Sequence, residues 1–186
     1  MILFFMHPLA YPLVALLGFF LGKKSATKRP TSKPGAPLDA VTLGAWEEFV
    51  AQMAKAPKAE VGRKGKLGAF QIDARRLADV GAMSEAWKKS DGSWTGSWSP
   101  GLTESAFLGS MPLQYAVFVR SMRAAAPKVS PLVGSKIDGN VASLSGLLGV
   151  SHVAGERGVA SFVSDADVRA RFPATSEVFS RTNGIF

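Results

Sequence analysis

The sequence predicts a mainly α-helical domain with little or no sheet, preceded by one N-terminal transmembrane helix. Three observations carry that expectation. Met1 to Gly22 is apolar and free of charged residues, Lys23 to Pro37 is basic and rich in proline, and helical periodicity begins after Thr42. The chain therefore divides into an anchor over 1–22, a basic tether over 23–41 and a folded domain over 42–186.

The anchor has no Lys, Arg, Asp or Glu, although Pro8 and Pro12 interrupt it. About 20 apolar residues cross the hydrocarbon core of a bilayer as a helix. A cleaved secretory signal fits less well, because no basic stretch precedes the apolar run and no small-x-small site follows it. The tether carries Lys23, Lys24, Lys28, Arg29 and Lys33 without an acid before Pro37. It has too little apolar surface to fold, so it reads as an extended segment. Its first partner is the anionic surface of a lipid bilayer, with nucleic acid a weaker alternative through residues 23–33. A basic flank also tends to stay cytoplasmic.

At 186 residues and 47% hydrophobic composition, the chain suits one domain with an appendage. The absence of cysteine excludes a disulfide framework, a thiolate metal site and a cysteine nucleophile. His7 and His152 alone make no histidine-rich metal centre, and no cofactor or metal is expected. Five of the 22 basic residues lie in Lys23 to Lys33, leaving 17 against 14 acids in the rest. The folded part is only mildly basic and has no Lys/Arg stripe interleaved with aromatics.

In the domain, Trp46, Phe49, Val50 and Met53 recur on one helical face, with Thr42 as N-cap and Pro57 as terminator. Glu60 to Lys66 reads as a turn or small hairpin. Asp73 caps a helix containing Leu77 and Val80, and Gly81 stops it. Lys88 to Gly101, with Trp94 and Trp98 among Gly, Ser, Asp and Pro, reads as a loop. Thr103 caps a long helix to about Ala125, whose inner stripe includes Phe107, Met111, Phe118 and Met122. Asp138-Gly139 marks a turn, and Ser143 to Val150 a central helix. Gly155 and Gly158 suggest a hairpin before Val159 to Val163, and Ser164 caps a last helix reaching Phe172. The sum is a bundle of roughly six helices.

One stretch is site-like rather than core-like: Lys66-Leu67-Gly68-Ala69-Phe70-Gln71-Ile72, set directly before a helix start. Small residues let backbone approach a bound polymer while an amide side chain reaches it. Gly65 to Ile72, reading Gly-Lys-Leu-Gly-Ala-Phe-Gln-Ile, resembles the glycine-aromatic-glutamine segment of the lysozyme-like superfamily, especially lytic transglycosylases and phage-associated peptidoglycan hydrolases. Leu144 to Val159 is similar to a later helical segment of those hydrolases, and Trp-Thr-Gly-Ser-Trp at 94–98 lies between. The resemblance spans about Thr42 to the C-terminus.

The resemblance implies a lysozyme-like fold and cleavage of peptidoglycan glycan strands between N-acetylmuramic acid and N-acetylglucosamine. That step needs a carboxylic acid still protonated near neutral pH, to protonate the departing sugar oxygen. In lytic transglycosylases one glutamate suffices, because the muramic acid hydroxyl attacks to form an anhydro sugar. The family glutamate usually sits in a Glu-Ser motif ending the first helix, and no Glu-Ser follows Trp46. Glu60, eleven residues before Gln71, is the nearest upstream acid and requires a shortened hairpin between them; Glu47 and Glu48 are the alternatives. Gly68, Phe70, Gln71, Trp94, Trp98 and His152 are the candidate substrate-binding residues. Glycan stacking on the tryptophans competes with anchoring of their loop, and a backbone hydrogen bond competes with sugar binding at Gln71 and His152.

Two functions follow. One is a membrane-anchored peptidoglycan-cleaving enzyme, including a phage virion component that opens the wall during genome entry or release. The other is a catalytically silent lysozyme-like module with a glycan-binding or structural role beside other virion or membrane-complex proteins. The positive-inside rule places the domain away from the wall, a conflict resolved either by a virion location or by an orientation that the weak amino-terminal flank leaves open.

Overall fold

The computed structural model describes residues 38–54, 61–62 and 65–186. The predicted anchor, nearly all of the tether, Pro57 and Glu60 lie outside the described residues. Among the described residues no helix is long and apolar enough to cross a membrane. The domain is mainly helical, with two short hairpins.

Helix α1, Leu43–Met53, starts where Thr42 Oγ1 accepts from Ala45 N at 3.3 Å. Phe49 and Met53 are buried and Trp46 packs beside them, as the periodicity requires. Helix α2, Ala74–Asp79, is capped by Asp73, which accepts from Arg76 N at 2.9 Å. Gly81, at φ 79°, turns the chain out of it.

The segment expected as a loop is instead a β-hairpin. Strands β1, Met83–Lys88, and β2, Trp94–Trp98, pair antiparallel from Met83 opposite Trp98 to Lys88 opposite Trp94. Asp91 holds the turn by accepting from Ser93 N at 2.9 Å and Ser93 Oγ at 2.6 Å. The tryptophans and Gly96 alternate along β2, so period two puts them on one face. A Cβ at Gly96 would collide with Glu85 O, which is why a residue resembling a loop signal sits mid-strand.

The long helix expected from Thr103 to about Ala125 is two helices. Helix α3, Glu104–Gly109, ends at Ser110, which is extended at φ −121° and ψ 99° and caps Leu113 N at 3.3 Å. Helix α4, Met111–Val129, follows with Pro112 in its first turn, where no N–H is needed. Strands β3, Lys136–Ile137, and β4, Asn140–Val141, flank the Asp138-Gly139 turn, both of whose residues have positive φ.

The hairpin expected at Gly155 does not form. Helix α5 runs over Leu144–Ser164 with a kink at Gly155, at φ 74° and ψ 166°. Val159 and Phe162 stay buried beyond the kink, and that burial carries the helix past two glycines. Asp165, rather than Ser164, caps helix α6, Ala166–Arg171, because Ser164 Oγ turns back to Ala160 O at 3.0 Å. Helix α7, Pro173–Thr182, was not expected. It lies close against α5: a Cβ at Gly146 would meet Phe179 at 2.9 Å, and one at Gly149 would meet Val178 at 2.9 Å.

The core centres on Phe118 of α4, which is fully buried. Its ring lies 4.3 Å from that of Phe70, 5.3 Å from His152 and 6.1 Å from Phe49. It thereby joins α1, α4 and α5 to the turn that precedes α2.

Candidate functional site

Between α1 and α2 the backbone doubles back twice. Val61 bridges Leu67, and Leu67 in turn bridges Ile72 through N–H···O bonds of 2.9 and 3.0 Å. Gly68 at φ 73° and Gln71 at φ 50° make the second reversal. Gln71 is a non-glycine residue in the left-handed region, where an L side chain is disfavoured by roughly 1–2 kcal/mol. Gln71 Nε2 donates to Gly68 O at 2.9 Å and offsets that cost locally. The rest of its amide lies on Gly62, where a Cβ would collide with Gln71 Oε1.

Gln114 of α4 holds the same turn from behind, and it is fully buried. Its Oε1 accepts from Ala69 N at 2.9 Å while Nε2 donates to Phe107 O at 3.0 Å and Leu108 O at 3.3 Å. A side chain at Gly68 would occupy the space of that amide, so glycine is required there twice over. The periodicity did not single out Gln114, although it lies four residues before Phe118 on the same helix and so on its inner face. A polar residue in an apolar stripe was the available signal.

Phe70 is 2% exposed and stacks on Phe118, so its ring is a core contact rather than the wall of an open groove. Its carbonyl receives His152 at an Nε2···O distance of 2.6 Å. A carbonyl only accepts, so Nε2 carries the proton and Nδ1 is the bare nitrogen. Nδ1 is buried with no hydrogen-bond partner among the described residues. Burial, and secondarily the charge of Arg76, lowers the His152 pKa to about 3. His152 is thus a neutral strut under the turn.

The two tryptophans diverge in role. Trp98 packs on Phe107 at 5.6 Å between ring centroids and anchors the β1–β2 hairpin. Trp94 is half-buried, carries the Arg75 guanidinium over its ring at 5.6 Å, and abuts Gly65 through its own carbonyl. The structure therefore gathers Gly68, Phe70, Gln71 and His152 around one turn, with Trp94 beside Gly65 at the neighbouring reversal. Of these, Gln71 and Trp94 keep surface open to solvent, whereas Gly68 and Phe70 are enclosed. Glu47 and Glu48 are exposed on α1. Among the described residues no cluster of three or more His, Asp or Glu is arranged to hold a metal ion.

Arg76 is a feature that the periodicity did not single out. Its Nη1 donates to Ser121 Oγ at 2.7 Å and its Nη2 to Ser151 O at 2.8 Å, tying α2 to α4 and α5. Burial pulls its pKa below the ordinary arginine value, a shift opposed by Asp73, Glu156 and Asp79.

Comparison with protein-family models, with curated proteins and with solved structures finds no match.

Proposed function

We propose that this chain is a membrane-anchored peptidoglycan-cleaving enzyme of the lysozyme-like kind, with Glu60 as general acid and Gln71 and Trp94 holding the sugars. One observation supports this most: the bridges of Val61 to Leu67 and of Leu67 to Ile72 keep the stretch before Gln71 short, as a glutamate at position 60 would need. It lays the Gln71 amide on Gly62, two residues from Glu60 in the chain. Between Gly62 and Gln71 the chain thus folds back to direct contact.

In this reading Trp94 offers a ring face to a sugar, and the amide of Gln71 meets its N-acetyl or hydroxyl groups. Glu60 protonates the departing oxygen. Gly68, Phe70, Trp98 and His152 act indirectly, by fixing the turn and the hairpin. The apolar 1–22 segment anchors the enzyme in a cell or virion membrane, and the basic segment behind it tethers the domain. A second reading, a glycan-binding module without activity, draws support from the bond of Gln71 Nε2 to its own turn.

Incubating the full chain in detergent with purified sacculi tests the proposal. Loss of turbidity with release of soluble muropeptides is expected. Binding to sacculi without release selects the silent module, and neither binding nor release refutes both.

A further inference from the structure

A cleft of about 260 Å³ opens between α2, α4 and α5, lined by Arg75, Arg76, Asp79, Ser121, Lys128 and Glu156. We propose that it is a binding site for a single carboxylate, the free end of a short peptide carried by the glycan strand. The strand as carrier rests on the function proposed above; the carboxylate site itself rests on the cleft.

Four features of the cleft lead there. Arg76 is a partly buried cation that carries a desolvation cost, and among the described residues no carboxylate pairs with it directly. A desolvated cation gains most from an anion brought to it. Two of its N–H groups are engaged by Ser121 and Ser151, which fixes the plane of the guanidinium and leaves others for a ligand.

Charge sets the kind of anion. The lining holds three cations and two acids, and Asp73 also acts on Arg76, so a singly charged anion suits the cleft better than a dianion. A phosphate dianion would leave excess negative charge beside Asp79 and Glu156, and that disfavours it. Lys128 already holds a carboxylate at the rim, that of Glu156 at 2.9 Å, so an arriving carboxylate enters a site with matching donors.

Position supplies the link to the glycan. Arg75 lies in the cleft lining and over the Trp94 ring at 5.6 Å, so cleft and tryptophan share a side chain. A sugar on Trp94 would carry its peptide toward Arg76.

Titration of the full chain in detergent with N-acetyl-alanyl-alanine and with its C-terminal amide tests this site without requiring cleavage. The acid is expected to bind at least about tenfold tighter than the amide, and more tightly than inorganic phosphate. Lys128→Glu should weaken the acid about tenfold and Glu156→Gln should tighten it about fivefold, with both effects shrinking in 1 M salt. Lys128 and Glu156 lie at the rim, with side chains 57% and 31% exposed, so these variants retain the fold. Equal affinity for acid and amide, or affinities indifferent to both substitutions, overturns the proposal. Glycan strands with and without their peptides identify the source: wild type should prefer the peptide-bearing strands and Lys128→Glu should not. A chain that binds the acid yet leaves sacculi intact refutes cleavage and keeps the carboxylate site; one that clears sacculi and ignores the acid does the reverse.

Discussion

Gln114→Ala is expected to lower the unfolding free energy by about 3–5 kcal/mol, read as a shift in urea midpoint at unchanged slope. The substitution leaves a cavity beside Phe107. It also strips a buried partner from Ala69 N–H and from the carbonyls of Phe107 and Leu108. For a domain of this size the melting temperature should fall by about 10 °C. Gln114→Met separates the causes, since it keeps most of the volume while losing every bond; about half the loss should persist. A loss below about 1 kcal/mol for the alanine variant would mean that the turn does not depend on this amide.

The second large effect is a dependence on pH carried by His152. Its pKa is about 3 in the folded protein and near 6.5 when unfolded, so between those values the unfolded chain binds the extra proton. Stability is therefore full above pH 6.5 and falls as pH drops, by up to about 1.4 kcal/mol per pH unit. From pH 6.5 to 4.5 this residue should account for about 2–3 kcal/mol of lost stability. His152→Gln, which can still donate to Phe70 O but cannot titrate, should be flatter than wild type by that amount over the same interval. Parallel curves for the two proteins would show that the imidazole is not held neutral under the turn.

The parts of the fold that were legible in the sequence are those where one residue type does one local job. Thr42, Asp73 and Thr103 were readable as caps because each accepts from an N–H three residues on. The Asp138-Gly139 turn was readable because both residues tolerate positive φ. What failed depended on distant contacts. Gly96 looked like loop because its need for close approach to Glu85 exists only once β1 pairs with it. Gly155 looked like a break because the burial of Val159 and Phe162 that continues α5 is tertiary. Helix α7 follows Pro173 and has no side-chain cap; its inner residues Thr175, Val178, Phe179 and Thr182 mix polar with apolar.

The candidate site divides on the same principle. The Gly68 to Gln71 turn announced itself by composition, since small residues beside an amide are rare in a core. Which of its atoms face inward did not, because the stacking of Phe70 on Phe118 and the bond from His152 join positions 48 and 82 residues apart. Arg76 was hidden because arginine on a short helix is ordinarily solvated, and only Ser121 and Ser151 make it otherwise.

The proposed chemistry turns on position 60, and one comparison tests it most directly. Sacculus clearance is measured for the full chain and for Glu60→Gln, alongside the binding of each to sacculi. The account predicts that the variant binds as wild type does and clears slower by about 10²–10⁴-fold, the contribution expected of a general acid. Equal clearance by the two proteins would remove Glu60 from the reaction and contradict the assignment of the turn at Gln71 as its partner.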